Sequence, residues 1–62
     1  MKKQTSDMRY QVESFNGIHR TNLTTLSSAK FFAETLVQNK VFGVQIARFD
    51  KSGNYYEIIK KY

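Results

Sequence analysis

The chain has 62 residues and a formal net charge of +5, from ten Lys and Arg against five Asp and Glu. A chain of this length forms one small domain and buries only about 60% of its unfolded surface. It contains no cysteine, which excludes disulfides and thiolate metal sites. It also lacks an apolar run near the roughly 18 residues of a membrane span. We therefore expect a cytoplasmic protein that binds no metal or other cofactor and no membrane.

The N-terminal segment, residues 1–7, is polar and basic, so it predicts a flexible tail. The remainder, residues 8–62, contains no linker, internal repeat or proline, and this favours a single domain. Residues 8–15 begin that domain with alternating apolar and polar side chains, the pattern of a half-buried strand.

Asn16-Gly17 follows this strand and predicts a type I′ hairpin turn, because both residues accept positive φ. The turn would place Glu13 opposite Arg20, where the two charges form a cross-strand ion pair. The same register predicts an inner face formed by Met8, Tyr10, Val12, Thr21 and Leu23.

Residues 26–40 predict an amphipathic helix, because their apolar side chains recur at helical spacing. The apolar arc consists of Ala29, Phe32, Ala33, Leu36 and Val37. Ser27 is the predicted N-cap, with Leu26 and Phe31 in the two positions of a hydrophobic staple. Phe31 itself lies outside the apolar arc. Asn39 predicts the end of the helix, since asparagine tolerates a left-handed backbone.

Residues 41–49 and 55–62 predict two further strands, because they are rich in aromatic and β-branched residues. Residues 50–54 predict a type I turn closed by Gly53 in the left-handed region. This register directs toward the helix the side chains of Phe42, Val44, Ile46, Arg48, Tyr56, Ile58 and Tyr62. A tighter turn would exchange the two faces.

Together these elements predict an α+β domain with the order β-β-α-β-β. One helix would cover one face of a four-stranded, mainly antiparallel sheet, because a single amphipathic helix cannot bury its own apolar arc. With the first strand beside the third, the sheet has the order 2-1-3-4.

The sequence contains no recognisable catalytic or metal-binding motif. His19 is the only histidine, and the predicted hairpin places it across from Ser14, but no acid accompanies them to orient a nucleophile and a base. Zinc-ligand spacing, paired carboxylates and a glycine-rich phosphate loop are all missing. We therefore expect a protein that is not an enzyme.

The outer face of the predicted sheet carries large apolar side chains beside a basic residue. The candidate interaction residues are Phe15, Ile18, Arg20, Phe49, Tyr55 and Ile59. Such a face suits contact with another protein, or with a second copy of the chain in a homodimer. Single-stranded nucleic acid is the alternative partner, because exposed aromatic rings can stack bases. The candidate phosphate contacts are Arg9, Arg48, Lys51, Lys60 and Lys61.

The layout also resembles that of a known class of proteins. A short alternating strand and a turn precede SSAKFFAETLVQNK and then FGVQIARFDKSGNYYEII. This arrangement over residues 8–62 is similar to small accessory proteins of phages and other mobile elements, including some anti-CRISPR inhibitors. The resemblance implies a phage-type inhibitor or modulator that binds a host complex stoichiometrically. A small basic protein that binds single-stranded DNA or RNA remains the alternative.

Overall fold

The computed structural model describes residues 8–62, so the predicted flexible basic tail, residues 1–7, lies outside the described residues. The elements are β1 (Met8–Ser14), β2 (Gly17–Leu23), α1 (Leu26–Gln38), β3 (Gln45–Asp50) and β4 (Tyr56–Lys61). The strands form one antiparallel sheet in the order β2-β1-β3-β4. The predicted α+β fold and its strand order are confirmed.

Helix α1 lies against β1, β2 and β3, and the side of the sheet that it covers is called the helix face below. The core between them consists of Val12, Ala29, Ala33, Val44 and Ile46. Both alanines of the helix are fully buried, and their small side chains let the helix backbone approach the sheet closely. Phe32 and Leu36 pack around this core as partly buried residues. The predicted apolar arc therefore faces the sheet, apart from Val37, which is exposed.

The N-cap of the helix lies two residues earlier than predicted. Thr25 is the N-cap, and its hydroxyl oxygen accepts a hydrogen bond from the Ser28 N–H at 3.2 Å. The prediction of Ser27 as N-cap is wrong, since Ser27 lies within the first turn. The staple is wrong as well, because Leu26 packs against the core, whereas Phe31 is exposed and touches Phe32 edge-to-face at 5.5 Å between ring centres.

The helix ends in a Schellman motif whose left-handed residue is a lysine. Lys40 has φ +66°, while Asn39 stays at φ −89°. The Val41 N–H donates to the Leu36 carbonyl and the Lys40 N–H to the Val37 carbonyl, both at 3.0 Å. These bonds satisfy carbonyls that the helix leaves free at its end. The helix therefore stops near the predicted residue, but Lys40 takes the conformation predicted for Asn39.

The first hairpin turn is not the predicted type I′ turn. Ser14 lies opposite Gly17, so Phe15 and Asn16 form the turn, and only Gly17 in it has positive φ, at +115°. The Asn16 N–H donates to the Ser14 hydroxyl at 3.1 Å. That local bond favours a turn starting one residue earlier, with glycine closing it instead of occupying its second central position.

Two register shifts in this hairpin then restore part of the predicted pairing. Val12 lies opposite Arg20, but Tyr10 lies opposite Leu23, as predicted. Asn22 lies within the second shift and has φ +60°. Asparagine is one of the few residues other than glycine that visit this conformation readily, so it can accommodate an extra residue of β2.

The predicted ion pair between Glu13 and Arg20 is wrong, because the early turn changes the partner of Glu13 and the register shift at Val12 turns Arg20 to the helix side. Glu13 lies opposite Ile18, and the Arg20 guanidinium stands 4.6 Å from the centre of the Phe32 ring, on the helix side. Thr21, predicted on the inner face, instead hydrogen-bonds on the opposite face of the sheet. One slipped residue thus exchanged the directions of two neighbouring side chains.

The second hairpin has the predicted glycine but a loop that is one residue shorter. The Gly53 N–H donates to the Asp50 carbonyl at 2.8 Å, and Gly53 has φ +87°. The Asp50 N–H donates to the Tyr55 carbonyl at 3.0 Å, and Phe49 lies opposite Tyr56 instead of Tyr55. The type I turn closed by Gly53 is therefore in place, while the predicted register of β4 is wrong.

This shift exchanges the two faces of β4 as far as Ile59. Ile58 lies opposite Ala47, and Lys60 lies opposite Ile46. Ile59 is the additional residue at the irregularity between these pairs, and it packs against the core. Ile58 was predicted to face the helix and Ile59 to face outward, and both predictions are wrong.

No helix among residues 8–62 is long and apolar enough to cross a membrane.

Candidate interaction surface

The outer face of the sheet does not form the apolar patch predicted from the sequence. Ile59 packs against the core, and Tyr55 lies beside Arg48, with the guanidinium 5.6 Å from its ring centre. Strand alternation places Arg48 on the same face as the buried Ile46, so Tyr55 also belongs to the helix side. Phe49 does alternate to the outer face, where it is half-buried.

The outer face instead carries a polar network centred on Glu13. Its carboxylate accepts hydrogen bonds from the Gln11 and Gln45 amides, both at 2.7 Å, and from the Tyr56 hydroxyl at 2.8 Å. Thr21 donates to the Gln11 carbonyl oxygen at 3.0 Å, so side chains of all four strands take part. Burial raises the pKa of Glu13, but its three hydrogen bonds outweigh burial and leave the pKa lowered.

The same network affects Tyr56, the side chain that joins β4 to β1. Burial raises its pKa, and the hydrogen bond and negative charge of Glu13 raise it further. A neutral phenol donating to a charged carboxylate is thus the favoured arrangement. These hydrogen bonds connect side chains of all four strands, and they occupy both oxygens of the Glu13 carboxylate.

The exposed apolar side chains gather elsewhere, where the turn of the first hairpin meets the segment before β3. We call this surface the aromatic patch and define it by Phe15, Val37, Phe42, Gly43 and Tyr62. Phe15 is 87% exposed and Phe42 is 76% exposed. Two adjoining cavities of about 340 and 220 Å³ open here, and both are lined by Gly43 and Tyr62.

Gly43 lies at the centre of the aromatic patch because its missing side chain makes room for Phe15. A Cβ atom on Gly43 would lie 2.9 Å from three carbons of the Phe15 ring. Gly43 also has φ +72°, a conformation that costs other residues about 1–2 kcal/mol. It turns the chain before β3 starts at Gln45, so Phe42 is left outside the sheet.

Lysines surround the aromatic patch. Lys40 lines the larger cavity and Lys61 the smaller one, while the Lys60 ammonium lies 5.1 Å from the centre of the Tyr62 ring. The pKa of Tyr62 is raised by burial and, to a lesser extent, by the negative charge of Glu34. Three lysines against one glutamate give this surface a positive potential.

The remaining candidate residues do not join the aromatic patch. Ile18 is exposed on β2, and Arg20 lines a separate groove of about 240 Å³ with His19, Phe32 and Leu36. The candidate phosphate contacts are dispersed, with only Lys60 and Lys61 at the aromatic patch. Arg9 donates to the Met8 carbonyl, Arg48 contacts Tyr55, and Lys51 is exposed in the turn between β3 and β4.

Ser14 and His19 form a direct contact that could suggest a nucleophile and a base. The Ser14 hydroxyl and His19 Nε2 are 2.7 Å apart, although the two residues are not opposite each other in the strand register. No carboxylate in residues 8–62 hydrogen-bonds His19 to orient it, as a catalytic triad requires. Across the same residues, no group of three or more His, Cys, Asp and Glu could hold a metal ion.

Sequence reasoning missed Val37, Phe42 and Tyr62 as surface residues, because all three were predicted to face the core. The signal that could have placed Phe42 outside is the glycine after it, since an isolated glycine in a strand pattern marks a bulge or a break. Val37 and Tyr62 carried no such signal.

No protein-family model matches this chain, and comparison with curated proteins and with solved structures finds no significant similarity.

Proposed function

We propose that this chain is a small non-enzymatic binding protein that acts stoichiometrically on a protein target through the aromatic patch. In the form implied by the layout resemblance, the target is a host complex that a phage-type inhibitor blocks or redirects. The supporting observation is the exposure of Phe15 and Phe42, at 87% and 76%, on one surface with Tyr62. Monomeric proteins rarely leave contiguous large apolar groups in water unless a partner covers them.

The charge of the surface favours a different molecule over a second copy of the chain. In a symmetric homodimer the same patch would face itself, and Lys40, Lys60 and Lys61 of one copy would approach those of the other. Like charges opposed across an interface destabilise it. An acidic target would instead be attracted electrostatically by the same lysines.

Single-stranded nucleic acid is the second candidate, supported by aromatic rings beside lysines. Rings of this kind can stack bases, and the lysines can contact phosphates. Three of the candidate phosphate contacts, Arg9, Arg48 and Lys51, however, lie away from the aromatic patch, whereas a strand binder uses a continuous basic groove that follows the backbone. The protein target therefore remains the favoured partner.

The test is a capture experiment with tagged protein in host-cell lysate, with and without nuclease. Wild type is expected to retain a protein at near-equal stoichiometry after nuclease treatment, and Phe42→Asp is expected to lose it. Phe31→Asp is the matched control, because Phe31 is also an exposed phenylalanine but lies on α1 outside the aromatic patch. Equal capture by all three proteins, or capture that nuclease abolishes, would contradict the proposal.

A further inference from the structure

We infer that the larger cavity of the aromatic patch receives one large apolar side chain from a partner segment whose flanking residues are acidic. This inference rests on the proposed function and specifies the chemistry of the partner. The cavity lies between the end of α1 and the end of β4, and its volume is about 340 Å³. Its lining is mostly apolar, from Val37, Val41, Phe42 and Tyr62.

The shape and lining of the cavity suit a side chain. Its volume lies at the lower end of the roughly 300–1,000 Å³ range of ligand sites. Val41 packs against the core and is held by its hydrogen bond to Leu36, which gives the cavity a fixed floor. Val37 and Phe42 form exposed walls. An apolar anchor buried in a pocket of this kind is the usual centre of a protein–protein contact.

The lysines determine what must flank that anchor. Lys40 lies in the cavity wall, and Lys61 lines the adjoining cavity on the other side of Gly43. Carboxylates on either side of the anchor could reach both ammonium groups, while a basic segment would be repelled. Glu34 places a negative charge near Tyr62. An acidic segment is therefore attracted to the part of the surface that carries Lys40 and Lys61.

The experiment titrates isotope-labelled wild-type protein with a capped peptide, Asp-Asp-Phe-Leu-Asp-Asp, and follows backbone amides by NMR. Millimolar peptide is expected to shift the amides of Val41, Gly43 and Tyr62. Two control peptides have the same length as this peptide. One replaces the aspartates with lysines, and the other replaces Phe-Leu with Ala-Ala. Both are expected to shift these amides much less.

Two variants locate the binding. Val37→Trp should fill the cavity from an exposed position on α1 and abolish binding without unfolding the protein. Lys61→Glu should weaken the acidic peptide at least about threefold at low salt, since a favourable surface charge pair becomes an unfavourable one. Lys51→Glu, the matched control in the turn between β3 and β4, should leave the affinity unchanged.

The inference is overturned if the acidic peptide shifts none of these amides, if the basic control binds as well, or if Val37→Trp binds like wild type. Stronger shifts with a short oligothymidylate would overturn it in favour of nucleic acid. These results differ from failure of the proposed function. A target captured only when Phe42 is intact, combined with no peptide binding, would keep the aromatic patch and reject this partner chemistry.

Discussion

The Phe15 ring lies directly over the α-carbon of Gly43, so that a Cβ atom there would come within 2.9 Å of the ring. The contact joins the turn between β1 and β2 to the segment that leads into β3. Phe15 remains 87% exposed despite this contact. Gly43 therefore supports one side of the ring while the other side faces solvent, the arrangement of a side chain that can contact a partner.

The first prediction concerns Gly43→Ala. We expect it to destabilise the fold by about 1–2 kcal/mol, because alanine is strained at positive φ, and to displace the Phe15 ring. Gly53→Ala is the matched control. It shares the backbone strain, because Gly53 also has positive φ, but it lacks the steric conflict, because nothing lies within 4 Å of its Cβ position. The measurements are urea unfolding and the ring-current shift of the Gly43 α-protons in wild type, which Phe15→Leu should remove. An unshifted α-proton signal in wild type would contradict the contact.

The second prediction concerns the end of α1, where Lys40 has φ +66°. Lys40→Gly is expected to stabilise the protein by up to about 1 kcal/mol, because glycine adopts this conformation without strain. Lys30→Gly, in the middle of the same helix, is expected to destabilise it by about 1 kcal/mol. Thermal or urea unfolding of both variants measures the effect. Two changes of the same sign would show that Lys40 is not held in the left-handed conformation.

The third prediction concerns the close approach of α1 to the sheet. Ala33 is fully buried against the core, so Ala33→Leu should cost about 1–3 kcal/mol through overpacking. Glu34→Leu introduces the same side chain at the next position, which is exposed, and should leave stability nearly unchanged. The difference between the urea midpoints of the two variants is the measure. Equal midpoints would mean that the helix can move away from the sheet at little cost.

The sequence predicted the elements of this fold well, because each has a strong local signal. Helix α1 follows from one apolar arc, and the two hairpins follow from glycines at their turns. The arc also identified Ala29 and Ala33, which are now seen as the contact of the helix with the sheet. The strand order was predicted by placing the first strand beside the third, an arrangement that keeps neighbouring strands antiparallel, and the sheet has this order.

The faces of the strands could not be predicted as well, because they depend on turns that differ by one residue. The hydrogen bond from the Asp50 N–H to the Tyr55 carbonyl makes the loop one residue shorter than predicted. As a result, Tyr56 faces outward and Ile59 faces inward, the opposite of the predicted directions. The aromatic patch escaped prediction for a related reason. The patch exists because the chain turns at Gly43 and β3 starts only at Gln45. Strand propensity around Phe42 instead predicts a strand that already includes this residue.

The last prediction concerns the pH dependence of the outer-face network. The hydrogen bonds to Glu13 lower its pKa in the folded protein, so the charged carboxylate contributes stability above the pKa of an unfolded glutamate, about 4.3. That contribution is lost as the pH falls through the lowered pKa of the folded state.

Glu13→Gln should cost about 1 kcal/mol at neutral pH, because one carbonyl oxygen cannot replace a carboxylate that accepts three donors, and its amide faces Gln11 and Gln45. Urea unfolding from about pH 7 to pH 2.5 should show the difference from wild type shrinking toward zero. Glu34→Gln, which removes an acid from the exposed side of α1, should show a smaller difference at neutral pH. A difference for Glu13→Gln that persists unchanged at the acid end would mean that shape, not charge, is what Glu13 contributes.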